Sequence, residues 1–184
     1  MIRSLRDAQE WHRSARTLAR LIQRLVAQHL NDESRDKTLG ETIFRDKEFG
    51  AADAGISLPK MVETVLDELD DLVILLYFSV FEADVRERAL QELQNQSLPK
   101  HPILTKVFQS AKDEIESGSF KRLTDAYGQD VPELRTQVDQ VREYRNWVAH
   151  GRNGAPKNNV KPGDALLRLK QFMTLLDPPP PVDS

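Results

Sequence analysis

The segment "REYRNWVAHGRN" at 142–153 sets Arg145 five residues ahead of His150, with an amide, Asn146, directly after the arginine and Gly151 directly after the histidine. On a helix, residues advance by 100° each. Asn146 and His150 then stand one turn apart on one face, with Arg142 a turn earlier and Arg145 beside that face. An imidazole, an amide and two guanidiniums gathered at a helix end are groups that metal-free RNA cleavage uses. The 2′-OH must lose a proton to attack the adjacent phosphorus, and the departing 5′ oxygen must gain one. Imidazole titrates near neutrality and suits both tasks. Charge building on the phosphoryl oxygens is matched by a guanidinium fork. DNA, which lacks the 2′-OH, would be spared. One histidine does not easily serve both sides of a phosphate, so the chemistry asks for a second copy of the motif across a symmetric dimer.

Each of these residues also has a plainer reading. Cations near a helix C-terminus are favoured by the helix dipole by about 0.3–1 kcal/mol, with no catalysis involved. Arg142 is placed either to hold a phosphate or to pair with Asp139 three residues back. Glu82, just after an apolar run, is a candidate to approach the motif helix and orient Arg145 or His150; its plainer role is to pair with a structural arginine. Trp147 reads as a packing or dimer-contact residue rather than a base-stacking platform. Arg152, Lys157 and Lys161 are the candidates for RNA backbone contacts, although exposed loop cations commonly have no special partner. His12, His29 and His101 are assigned to structure or surface. The four histidines show no ligand spacing, so no metal and no cofactor is expected.

The "RNWVAHG" stretch resembles the signature of the HEPN superfamily of all-α domains: an arginine, a polar residue after it, and a histidine four to six residues further on. Arg145, Asn146 and His150 match its three positions, and the chain's proportions are similar to the RiboL-PSP type. The resemblance implies a homodimeric, metal-independent endoribonuclease with its site in the dimer cleft, acting as a toxin or phage-defence effector. An antitoxin or regulatory protein would then be a further partner. It equally allows a non-catalytic module that binds RNA, a nucleotide or a protein in the same cleft. Members paired with nucleotidyltransferase antitoxins carry a tyrosine two residues after the histidine. Arg152 stands there, which argues against that route of regulation.

With 184 residues, the chain is long enough for one sizeable core, and a single domain over 1–176 with a Pro-rich tail at 177–184 is expected. Hydrophobic residues at 39% and charged residues at 30% exclude general disorder. There is no cysteine, which removes disulfides and thiolate chemistry and fits a cytoplasmic location. The longest apolar run, "LVILLYFSVF" at 72–81, is half of the roughly 20 residues a membrane span needs, so no membrane partner is expected. Net charge is −3, yet residues 142–170 hold seven Lys or Arg against two acids, a local +5 in a chain that is −8 elsewhere. A basic segment in an acidic chain suggests a confined anion-binding surface, although a charge cluster is more often just a solvated face.

The elements that must position the motif follow from period and punctuation. Leu5, Ala8, Trp11, Ala15, Leu18, Ile22, Leu25, Val26 and His29 recur at three- and four-residue steps, predicting a helix over about 4–30. A long loop with a short helical turn near 41–48 is expected across 31–57. Ser57 and Pro59 open a helix that runs without Pro or Gly to about 93. A third helix is expected at 102–117, stopped by Gly118, then a short piece at 120–127. Asp130, Pro132 and Glu133 resemble a capping box for the motif helix at 131–150, with Gly151 as its cap. A last amphipathic helix is expected at 164–176. No segment alternates with period two. The expected fold is an all-α antiparallel bundle of four to six helices with one long central helix, forming a C2 homodimer.

Overall fold

Proline stands in the first turn of four helices, where its missing N–H and fixed φ cost nothing: Pro59, Pro102, Pro132 and Pro162. In the computed structural model, which describes residues 2–31, 58–96 and 101–176, the helices are α1 (Leu5–Asn31), α2 (Leu58–Gln94), α3 (Pro102–Ser117), α4 (Phe120–Tyr127), α5 (Pro132–Ala149) and α6 (Pro162–Met173). The fold is all-α, with no strand among the described residues. The long helix is present at 37 residues. No helix among the described residues is long and apolar enough to cross a membrane.

Local punctuation departs from expectation in two places. The residue capping α5 is Val131, with no side-chain cap bond, so Asp130 and Glu133 form no capping box. Pro132 already supplies a compatible first turn, and its lack of an N–H removes one donor that a cap would satisfy. The final helix opens at Pro162 rather than 164, and beyond Met173 it continues only as turns to Leu176. His101, assigned to structure or surface, caps α3: its Nδ1 accepts from the Ile103 N–H at 3.3 Å. The expected helical turn near 41–48 and the Pro-rich tail lie outside the described residues.

Two compact units emerge, one from the described residues of 1–8 and 71–184, the other from those of 9–70. The first holds the core that supports the motif. From α2 it takes Val73, Ile74, Tyr77, Phe78, Phe81 and Val85; from α5, Val138, Val141 and Tyr144; from α6, Ala165, Leu166, Leu169 and Phe172. Phe120 of α4 completes an aromatic cluster in which Phe78, Phe81, Phe120 and Phe172 meet edge to face at 5.6–5.8 Å between centroids. Such pairs add about 0.5–1.5 kcal/mol each beyond burial. α5 packs on α6 and α4, so the motif helix is held by its apolar face.

In the second unit, Asp70 accepts from His12 at 2.7 Å and also pairs with Arg16. Here the apolar stripe of α1 forms the helix but is not covered: Leu18 is 60% exposed, and Leu21, Ile22 and Leu25 are exposed with it. Of the stripe's described side chains, Leu5 and Ala8 reach the core, both in the first unit. α3 likewise buries none of its residues, with Ile103 65% exposed.

Candidate functional site

Phe78, Glu82 and Arg86 are four residues apart on α2 and so stand one above another on a single helix face. Arg142, Arg145 and Asn146 of α5 face them across a cleft of about 280 Å³, closed by the Gly118–Lys121 turn. Glu82 sits between two cations. Its Oε2 accepts from Nη2 of Arg145 at 3.1 Å, and its Oε1 accepts from Nη2 and Nε of Arg86 at 2.8 and 3.2 Å. Arg86 also donates to the carbonyls of Ile115 and Gly118, and its guanidinium lies 5.5 Å from the Phe120 ring centre. Arg145 donates from Nη1 to Oδ1 of Asn146 at 2.9 Å, with its guanidinium 5.0 Å from the Phe78 ring centre. The carboxylate and the aromatic face together fix the fork's direction, since a planar guanidinium loses little freedom per bond formed.

Arg142 realises the pairing reading: its Nε donates to Oδ1 of Asp139 at 2.7 Å, and Lys121 approaches the other carboxylate oxygen at 3.6 Å. Burial pushes the Asp139 carboxyl up, but the bond and charge of Arg142 and the charge of Lys121 bring it below the ordinary carboxylate range. A depressed carboxylate contributes stability that is present above its unfolded pKa and is lost as pH falls through the folded value. Asp139→Asn is therefore expected to shrink the drop in thermal midpoint between about pH 5 and pH 2. An equal drop in variant and parent would refute the pairing as a source of stability.

A second cleft, of about 390 Å³, opens on the other side of Arg142 and Asn146, lined also by Glu143, Trp147, Asn153, Ala155 and Lys157. Its far wall is the loop after α5, whose backbone is closely specified. Gly151 at φ 79° and Gly154 at φ 71° take left-handed conformations, and so does Arg152 at φ 57°, which a side chain rarely adopts. The N–H groups of Gly151 and Arg152 donate to the carbonyls of Val148 and Trp147. Trp147 donates from Nε1 to the Gly154 carbonyl at 2.9 Å, and Asn153 from Nδ2 to the His150 carbonyl at 3.2 Å.

Asp71 of α2 anchors this turn from below. One oxygen accepts from the Tyr144 hydroxyl at 2.7 Å, the other from Nη2 of Arg152 at 2.6 Å. Asp71→Ala removes the acceptor that Tyr144 and Arg152 share and loosens a residue held at positive φ, and is expected to lower the unfolding free energy by about 1–3 kcal/mol in urea titration. Asp71→Asn keeps an acceptor for Tyr144 and is expected to lose less. Unchanged midpoints in both would show that the turn holds without this anchor.

The structure thus brings Arg145, Asn146, Glu82 and Arg142 into one cleft. His150 stands on the exposed last turn of α5, one turn beyond Asn146; its N–H donates to the carbonyl of Asn146 at 3.0 Å. Its imidazole makes no hydrogen bond among the described residues. Arg152 is engaged with Asp71, and Lys157 lies 3.6 Å from Glu143 in the second cleft. Lys161 is exposed at the start of α6, outside both clefts. Three site residues escaped the sequence reading. Arg86 carries a legible signal, an i,i+4 partner for Glu82. Asp71, one of several acids in "DELDD", and Lys121 carry none. No three His, Asp or Glu side chains gather as metal ligands do among the described residues. Comparison with known protein families, curated proteins and solved structures gives no match.

Proposed function

We propose that the protein is a metal-independent endoribonuclease that cleaves RNA by attack of the 2′-OH on the adjacent phosphate. The observation that carries the reading is the Glu82–Arg145–Asn146 arrangement, an oriented guanidinium and amide on the helix that carries the exposed His150 one turn beyond Asn146. Arg145 would face the phosphoryl oxygens as charge builds on them, and Asn146 would orient the phosphate or the imidazole. His150 would take the proton from the 2′-OH or return one to the 5′ oxygen. A homodimer supplies the second histidine, and the site is then composite across the two-fold axis. A role as a toxin or defence effector in the cytoplasm, restrained by a regulatory protein, fits an enzyme of this kind.

The test is cleavage in EDTA of a labelled RNA beside the same oligomer as DNA. Cutting of RNA alone, leaving 2′,3′-cyclic phosphate and 5′-OH ends, is the expected result. A solution mass of one chain at micromolar concentration would count against the composite site. A second reading draws on the engagement of Arg145 within its own chain by Glu82, Asn146 and Phe78. A side chain so occupied serves equally in a non-catalytic module that binds RNA, a nucleotide or a protein partner. A confirmed dimer that leaves a broad RNA panel intact would favour that module.

A further inference from the structure

The two clefts share a wall made of Arg142 and Asn146, and their linings differ in kind. The first is almost wholly polar, lined by four cations, Arg86, Lys121, Arg142 and Arg145, against one carboxylate, Glu82. Glu82 and Arg86 are consumed by their mutual bonds, but only Nε of Arg142 is engaged, and the Ser119 hydroxyl makes no cap bond. The terminal nitrogens of Arg142 and the Ser119 hydroxyl are left to receive an oxyanion, beside the Lys121 ammonium, which lies 3.5 Å from Asp125 and 3.6 Å from Asp139. The second cleft offers a partly buried indole, Trp147, and the amides of Asn146 and Asn153. Asn146 has its Nδ2 donor open and Asn153 its Oδ1 acceptor open, because each amide's other atom carries its bond. A flat heteroaromatic ring with a donor and an acceptor on its edge suits such a lining, and the volume lies in the range of ligand clefts.

We propose that the clefts are adjoining subsites for one nucleotide of a single RNA strand: the first cleft takes a phosphate, and the second takes the unpaired base next to it. This rests on the ribonuclease reading for the choice of RNA, and it adds that the substrate is single-stranded and that base preference is set beside Trp147. In a duplex the base edge is paired and stacked, and the deep major groove of A-form RNA admits no side chain. Arg142 belongs to both subsites and ties phosphate and base to one register.

The experiment measures binding, so it is independent of catalysis. The full chain is titrated into fluorescent 2′-fluoro octamers, which lack the attacking hydroxyl, as homopolymers of each base and as a duplex. Ala155, exposed on the loop that walls the second cleft, is changed to Phe to fill it; Ser119 is changed to Glu to place a negative charge in the first. Neither residue makes a side-chain hydrogen bond, so both variants are expected to match the parent in helical circular dichroism and thermal midpoint. The single strand is expected to bind at least about tenfold more tightly than the duplex. Ala155→Phe is expected to weaken binding about tenfold and to level the affinities of the four homopolymers. Ser119→Glu is expected to weaken all four alike and to flatten the dependence on salt. Parent-like binding by Ala155→Phe, equal affinity for duplex and single strand, or no binding of any octamer by the parent would overturn the proposal. Cleavage without these effects would leave the ribonuclease reading standing and remove the subsites; these effects without cleavage would keep the subsites and remove the ribonuclease.

Discussion

His150→Ala is expected to lower the rate of RNA cleavage in EDTA by about 10²–10⁴-fold, the span that a positioned general acid or base contributes. The side chain is exposed and contributes nothing to the core, so the fold should survive its loss. Backbone bonds close the helix end: the His150 N–H donates to the Asn146 carbonyl and the Gly151 N–H to that of Val148, whatever side chain is present. An unchanged urea midpoint would therefore accompany the lost rate, separating chemistry from folding. Cleavage within a few-fold of the parent would mean that another group moves the proton, and the motif would lose its catalytic meaning.

Arg145→Ala is expected to cost about 10²–10³-fold in the same assay, the scale of removing one donor aimed at developing charge. Its structural cost should be smaller. Glu82 keeps two bonds from Arg86, so no carboxylate is left bare; what is lost is the bonds to Glu82 and Asn146 and the contact with Phe78. Arg145→Lys tests the fork itself. Lysine restores the charge but cannot donate to Glu82 and Asn146 from a rigid plane, so its rate should stay well below the parent's. Full activity in Arg145→Lys would show that charge suffices, and full activity in Arg145→Ala would remove Arg145 from the chemistry. Glu82→Gln supplies the companion measurement. It keeps an acceptor for Arg145 and removes the charge that aims it, and a rate between those of the parent and Arg145→Ala is expected.

Much of the local structure was legible because it depends on neighbours in the chain. Helix periods, the stops at Gly118 and Gly151, and proline in the first turn of α3, α5 and α6 involve residues within a turn or two of one another. For the same reason the one-turn spacing of Asn146 and His150, the Arg142–Asp139 pair at three residues and the all-α class could be read directly. The capping box failed at that same scale: Asp130 and Glu133 are present in suitable order, but the chain enters α5 through Val131, whose side chain has no oxygen to cap with.

Burial and long-range pairing belong to the tertiary structure. The α1 stripe and the apolar residues of α3 have the same period as the core face of α5, yet α5 is covered and Leu18 and Ile103 are open. Period reports which residues share a face; whether another element lies against that face depends on the packing of the whole chain. Glu82 and Arg145 are 63 residues apart, and Tyr144 and Asp71 are 73 apart. No local preference links such positions, because the entropy of closing so long a loop is offset only by the shared apolar core that brings α2 and α5 together. The motif named the residues that chemistry would use. The packing of α2 on that core decided that Arg145 is aimed by a carboxylate, that Arg152 is held by Asp71, and that two clefts meet at Arg142.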